Sequence, residues 1–193
     1  RNAFSDGGVT ENDIAYAKNV YDEEIAFTDK WIGELLNSPT LKTTRRQVTV
    51  LTADHGEYFM ERGRFFHGED VYKELVHVPL IIAGDIASDL VGKTVSETVS
   101  LTSIPKTIMS HLGISKHGFR GIDLLGNIAT QPRATVFAEG SHLWGNGNQN
   151  KSVVTAKWKL IHTPNTGSFE LYDRKADPHE RQDQYDKDLP AEV

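Results

Sequence analysis

Residues 47–53, Gln-Val-Thr-Val-Leu-Thr-Ala, run without a break into Asp54-His55-Gly56-Glu57. β-Branched side chains crowd a helix but suit a pleated surface, so the first part reads as a buried strand. Ahead of it, Ile14, Ala17, Tyr21, Ile25, Thr28, Ile32 and Leu35 recur three or four apart, with Asp, Glu and Lys between them. That period predicts an amphipathic helix over residues 13–37, packed on a sheet. Thr10 or Asn12 would cap it, and Asn37-Ser38-Pro39 would stop it. A helix, a short basic loop and such a strand make the αβ half of a parallel-sheet unit. Ligands of these sheets sit outside the carboxyl ends of the strands. Asp54 and His55 stand at that end.

The rest of the chain reads as follows. Phe59 to Phe66 is a loop containing Gly63, and Glu69 to Leu75 is a short helix. Val78 to Gly84 is a second buried strand with Pro79 at its start. Thr102 to Leu112 is a helix, with Pro105 in its first turn and Gly113 just past its end. After about residue 130 the pattern changes to short strand-like runs at 134–138, 152–156, 157–162 and 169–172, separated by Gly- and Asn-rich turns. They predict a small antiparallel sheet. Gly145 to Asn150 is a flexible connector, and the charged tail from Asp173 to Val193 is expected to wrap the surface. The fold class is therefore α/β, with an α/β core over 1–130 and an antiparallel subdomain and tail over 131–193.

Composition narrows the function. With 193 residues, 38% hydrophobic and 25% charged, the chain is neither disordered nor fibrous. Its longest apolar run, Val78 to Gly84, falls far short of the roughly 20 residues that span a membrane. The net charge is −6 and only Arg45-Arg46 are adjacent bases, so a nucleic-acid partner is not expected. The absence of cysteine removes disulfides, thiolate metal sites and a cysteine nucleophile. The chain begins at Arg1, as a processed or truncated product would, and residues 1–30 do not read as a signal peptide. Localisation is left open.

Three groups of residues carry chemistry. Adjacent Asp54 and His55 at a strand end can turn a hard anionic oxygen and a neutral nitrogen towards one cation. The competing reading is a capping Asp beside a satisfied His. His67, twelve residues after His55 and between Phe66 and Gly68, can contact an anionic group or transfer a proton, or serve only its loop. His142, beside Trp144 in a Gly-rich loop, is a weaker candidate for lining a substrate cleft. His77 reads as packing at a strand entry and His111 as a surface residue. Ser141 lacks a nucleophile elbow. Walker and dinucleotide fingerprints are missing. Asn150-Lys151-Ser152 matches a glycosylation tripeptide.

The order of segments resembles the sulfatases of the alkaline phosphatase superfamily. DEEIAFTDKWIGELL (Asp22 to Leu36) is similar to the helix before their second metal-binding strand, and TVLTADHGE (Thr49 to Glu57) to that strand's end. HGEDVYKELVHVPLIIAG (His67 to Gly84) is similar to the segment in which Lys or His is followed by Tyr-x-Glu and Val-Pro-Leu-Ile. SLTSIPKTIMSHLGI and GIDLLG resemble the helix and Gly-x-Ser-Leu that come next. KWKLIHTPNTGSFELYDRKADPHE resembles the C-terminal hairpin with Glu-Leu-Tyr-Asp and Asp-Pro-x-Glu.

The resemblance implies an alkaline-phosphatase-like α/β sandwich with a small C-terminal antiparallel sheet. It also implies metal-dependent hydrolysis of sulfate esters of glycans, aryl alcohols or small molecules. One divalent ion, calcium foremost and manganese as the alternative a nitrogen donor admits, would bind Asp54 and His55. His67 would hold the sulfate oxygens. The family's formylglycine nucleophile, made in Cys/Ser-x-Pro-x-Arg, has no counterpart in this chain, nor has the first metal-binding strand. This implies the C-terminal part of a longer enzyme, inactive by itself, with formylglycine upstream. Two other outcomes stay open: a phosphonate monoester hydrolase, phosphodiesterase or phosphotransferase of the same superfamily, or a non-catalytic metal-binding fragment.

Overall fold

A computed structural model describes residues 8–42, 46–68, 70–126, 135–140 and 149–185. The first helix, α1 (Glu11–Asn37), starts after Thr10. The Thr10 hydroxyl accepts from the Asp13 N–H and the Asp13 carboxylate accepts from the Thr10 N–H, a capping box. Asn12 lies inside the helix. No residue of α1 is buried. The stripe that predicts packing on a sheet is left open, with Ile25 53% and Leu35 59% exposed. Tyr21 against the Phe59 ring, edge-on at 5.1 Å, and Lys18 paired with Glu61 tie the helix to the rest of the chain.

β1 (Val48–Thr52) and β4 (Leu80–Gly84) pair with each other, and they do so antiparallel, with Val48 opposite Gly84 and Thr52 opposite Leu80. This corrects the parallel-sheet expectation. The connector leaves β1 and enters β4 at the same end, whereas a parallel neighbour needs a crossover to the far end. The strands are also not buried: the cross-strand pair Leu51 and Ile81 is exposed. The stretch expected to be a loop contains a hairpin, β2 (Tyr58–Phe59) with β3 (Phe65–Phe66), closed over a 3₁₀ turn at Glu61–Gly63. Strands of two residues are too short to leave a period. A one-turn helix, α2 (Lys73–Val76), completes the connector.

α3 (Ser103–His111) ends as its glycine predicts. Gly113 has φ +73°, its N–H donates to the Ser110 carbonyl, and the Ile114 N–H donates to that of Met109. This is a Schellman closure, which needs a left-handed residue at that point. β5 (Val136–Glu139), β6 (Lys151–Val154), β7 (Trp158–Thr163) and β8 (Ser168–Asp173) form the expected antiparallel sheet, in chain order.

The core lies between the connector and this sheet. Tyr58, Val71, Tyr72 and Leu75 meet Ile161 and Tyr172, with Ala138 packed against them. The polar groups of this contact are paired. The Tyr72 and Tyr172 hydroxyls both donate to the Glu170 carboxylate, and burial pushes both phenols up from their ordinary range. Asn150 is 5% exposed and donates to the Asp70 carboxylate at 2.9 Å. So the connector reading fails at Asn150, and the glycosylation tripeptide has its asparagine inside the fold.

The tail departs from expectation as well. Asp177 and Glu180 are buried rather than wrapped over the surface. Lys159 Nζ donates to both Glu180 oxygens, at 2.8 and 2.9 Å. Burial holds the Lys159 ammonium below its usual range, and the Glu180 charge pulls the other way. The Arg62 guanidinium lies 3.8 Å over the Tyr72 ring and donates to the Glu180 carbonyl at 2.7 Å.

Candidate active site

Asp54 and His55 follow β1 directly, so the strand end sets their place. The segment is then pinned from behind. The Gly56 N–H donates to the Leu75 carbonyl at 2.8 Å. A Cβ on Gly56 would stand 2.0 Å from the Glu74 carbonyl oxygen, so α2 presses against bare backbone that no other residue could offer.

This anchoring defines the proton on His55. Its Nδ1 lies 2.9 Å from the Gly56 carbonyl, which can only accept, so Nδ1 carries the hydrogen and Nε2 presents a lone pair. Asp54 is held in a complementary way. Its Oδ1 accepts from the His55 N–H at 3.0 Å, and its Oδ2 lies 3.6 Å from His55 Nε2. Two electron-rich atoms face each other at a distance too long for a hydrogen bond. Ligands each about 2.0–2.5 Å from one cation are spaced in this way. The Asp54 side chain is 89% exposed, open to a ligand. The donor set therefore fits a divalent ion. Among the described residues no group of three or more His, Asp or Glu side chains is placed to hold a metal.

His67 comes to the same place from β3. Phe66 has φ +68°, a left-handed conformation that turns the chain sharply just before His67. The His67 and His55 rings lie with centroids 4.1 Å apart and a tilt of 35°. His67 Nδ1 is 3.1 Å from Glu57 Oε2, so this nitrogen donates to the carboxylate and Nε2 is left for another partner. The other Glu57 oxygen, Oε1, is buried without a hydrogen-bond partner among the described residues.

Asp54, His55 and His67 all line an open cavity of about 1540 Å³. His77, expected to pack at the strand entry, is exposed and lines the same cavity, and His111 is exposed on α3. His142 lies outside the described residues. Residue reasoning gave Glu57 no role. Its spacing of two from His55 is the hint the sequence offers, since alternate residues of an extended segment share a side.

A family model described as Sulfatase matches residues 2–114. The chain belongs to the sulfatase family. This sulfatase chain is 31% identical over 188 residues to arylsulfatase K of Mus musculus, covering 90% of this chain and 33% of that protein. It is 28% identical over 184 residues to choline-sulfatase of Rhizobium meliloti (strain 1021), covering 89% of this chain and 34% of that protein. It thus spans about a third of the length of the curated relatives it matches. Its fold is similar to that of BT4656, solved in complex with D-glucosamine-2-N,6-O-disulfate (TM-score 0.71, 24% identity, 84% of this chain and 35% of that one). It is also similar to that of BT1596, described as a 2-O GAG sulfatase (TM-score 0.67, 24% identity, 82% and 35%). These likenesses show an alkaline-phosphatase-like sulfatase fold. Among the described residues no helix is long and apolar enough to cross a membrane.

Proposed function

We propose that this sulfatase chain supplies part of the active site of a metal-dependent sulfuric ester hydrolase. Asp54 Oδ2 and His55 Nε2 hold one divalent cation, and His67 contacts the sulfate group or the leaving oxygen. The observation that carries the reading is the convergence of Oδ2 and Nε2 at 3.6 Å beside the His67 ring. Calcium is the ion we favour for the oxygen, and the nitrogen donor admits manganese. When bound, the ion supplies positive charge close to the sulfate oxygens.

The chain's own residues do the rest of what is assigned here. Glu57 accepts from His67 Nδ1 and so fixes the ring, with Nε2 facing the substrate. From there His67, as the imidazolium with a hydrogen on each ring nitrogen, donates a hydrogen bond to an oxygen on which charge builds as the S–O bond lengthens. The bond between sulfur and the ester oxygen breaks, that oxygen gains a proton, and water ends as part of the released sulfate. The nucleophile, a formylglycine by family resemblance, and the remaining metal ligands lie outside these residues in our reading. The chain by itself is then inactive.

The test uses the full-length protein with aryl and sugar sulfates as substrates. Asp54→Asn and His55→Ala should lose calcium binding and activity together. His67→Ala should keep calcium binding and lose about 10²-fold or more in kcat. Faster turnover of phosphate diesters or phosphonate monoesters than of any sulfate would shift the reading to the phosphoryl relatives. Full activity of the His67 variant would remove its role.

A further inference from the structure

We propose that Glu180, in the tail, is a positioning residue for the cation-binding loop and acts through α2. The inference rests on the reading of Asp54 and His55 given above. The contacts form an unbroken series. Glu180 Oε2 accepts from the Lys73 N–H at 3.0 Å, at the first residue of α2. Two residues further on, the Leu75 carbonyl accepts from the Gly56 N–H, and the Gly56 carbonyl accepts from His55 Nδ1. Little slack exists between α2 and Gly56, because even a Cβ on Gly56 would stand 2.0 Å from the Glu74 carbonyl oxygen. A shift of α2 must therefore move Gly56, and with it the ring whose Nε2 faces Asp54.

Glu180 is itself over-determined. Lys159 holds both carboxylate oxygens, and Arg62 holds the main-chain carbonyl. The side chains of Lys159 and Glu180 are 3% and 7% exposed. Glu180 also has φ +53°, a left-handed backbone that a residue with a Cβ adopts at a cost. That conformation turns the carboxylate back under α2 instead of letting the tail run out to solvent. A simple fastening of the tail needs only the Lys159 pair; the bond to the Lys73 N–H adds a hold on α2. Outer groups that orient a metal ligand commonly change metal affinity about 10–100-fold when removed.

The experiment uses the full-length protein and calcium alone as the titrant. Glu180→Gln keeps the shape and weakens the hold. It should bind calcium about tenfold more weakly and show faster amide hydrogen exchange at Gly56 and Lys73 without any cation. Glu180→Asp should fall between it and the wild type. Thr107→Ala, buried on α3 where its hydroxyl bonds the Ser103 carbonyl and the Leu124 N–H, should keep wild-type affinity at a comparable loss of Tm. Unchanged affinity in Glu180→Gln, or equal weakening in Thr107→Ala, would overturn the proposal. If Glu180→Gln does not fold, Glu180→Asp carries the same expectations and the same reversal. A wild type that binds no calcium or manganese overturns the cation reading instead, and exchange at Gly56 still reports the coupling.

Discussion

Gly56 is where backbone chemistry and site chemistry meet. Gly56→Ala would drive a methyl into the Glu74 carbonyl, so the loop or α2 must give way. Overpacking of this kind costs about 1–3 kcal/mol. We expect a loss of that size in urea denaturation of the full-length protein, together with weaker calcium binding in titration. Asp173 offers a cleaner electrostatic test. Its carboxylate accepts from the Ala176 and Lys175 N–H groups, which hold it below its ordinary 3.8. A carboxylate lowered in the folded state stabilises above the unfolded value, and the contribution fades as pH falls through the folded one. The wild type should therefore be more stable than Asp173→Asn at pH 6, and the gap should close as the pH is taken below about 4. Denaturant midpoints along that pH series would check it.

At the scale of elements, the contact between α2, β7, β8 and the tail depends on a buried ion pair. Removing one partner strands the other charge, which costs about 3–5 kcal/mol. Lys159→Met should lose stability on that order, and the double change Lys159→Met with Glu180→Leu should recover part of it in a double-mutant cycle of melting curves. This contact also explains what could be read in advance. Helices α1 and α3 and the four-stranded sheet were legible because each carries its own period and its own limits, Thr10 and Ser38 for α1 and Gly113 for α3, whereas the short helix expected over Glu69 to Leu75 is the single turn Lys73–Val76. The direction in which β1 meets β4 was not, since Val-Thr-Val-Leu-Thr has the same composition beside either kind of neighbour. The β2–β3 hairpin turns on left-handed Met60 and Arg62 rather than on glycine alone, so its sequence lacks the usual sign. Asp54, His55 and His67 could be named from their segments, and the structure brings them together. Glu57 and Glu180 could not be given roles, because their partners are fixed only when the chain folds. The segments that carry the family resemblance are in fact each other's partners: Tyr72 meets Glu170, and the Lys73 N–H meets Glu180.

The whole molecule exposes 14123 Å², whereas a globular protein of its 21.5 kDa exposes about 9200 Å². The exposed apolar surface includes the open stripe of α1, with Tyr21, Ile25 and Leu35, and the Leu51–Ile81 face of the β1–β4 pair. Such surfaces associate. We expect these 193 residues, expressed alone, to self-associate in size-exclusion chromatography and to melt without a sharp transition. A monomer with one cooperative transition would contradict this. The pairing of Thr52 with Leu80 has a different consequence. It clasps together the two ends of the segment that carries Asp54, His55 and His67. Once a strand pair has closed a loop, doubling the loop's length adds only about 0.6 kcal/mol. Insertions beside the exposed Gly68, between His67 and Asp70, are therefore cheap, and a lineage built on this clasp is free to remodel the rim that meets a substrate while its cation ligands stay in register.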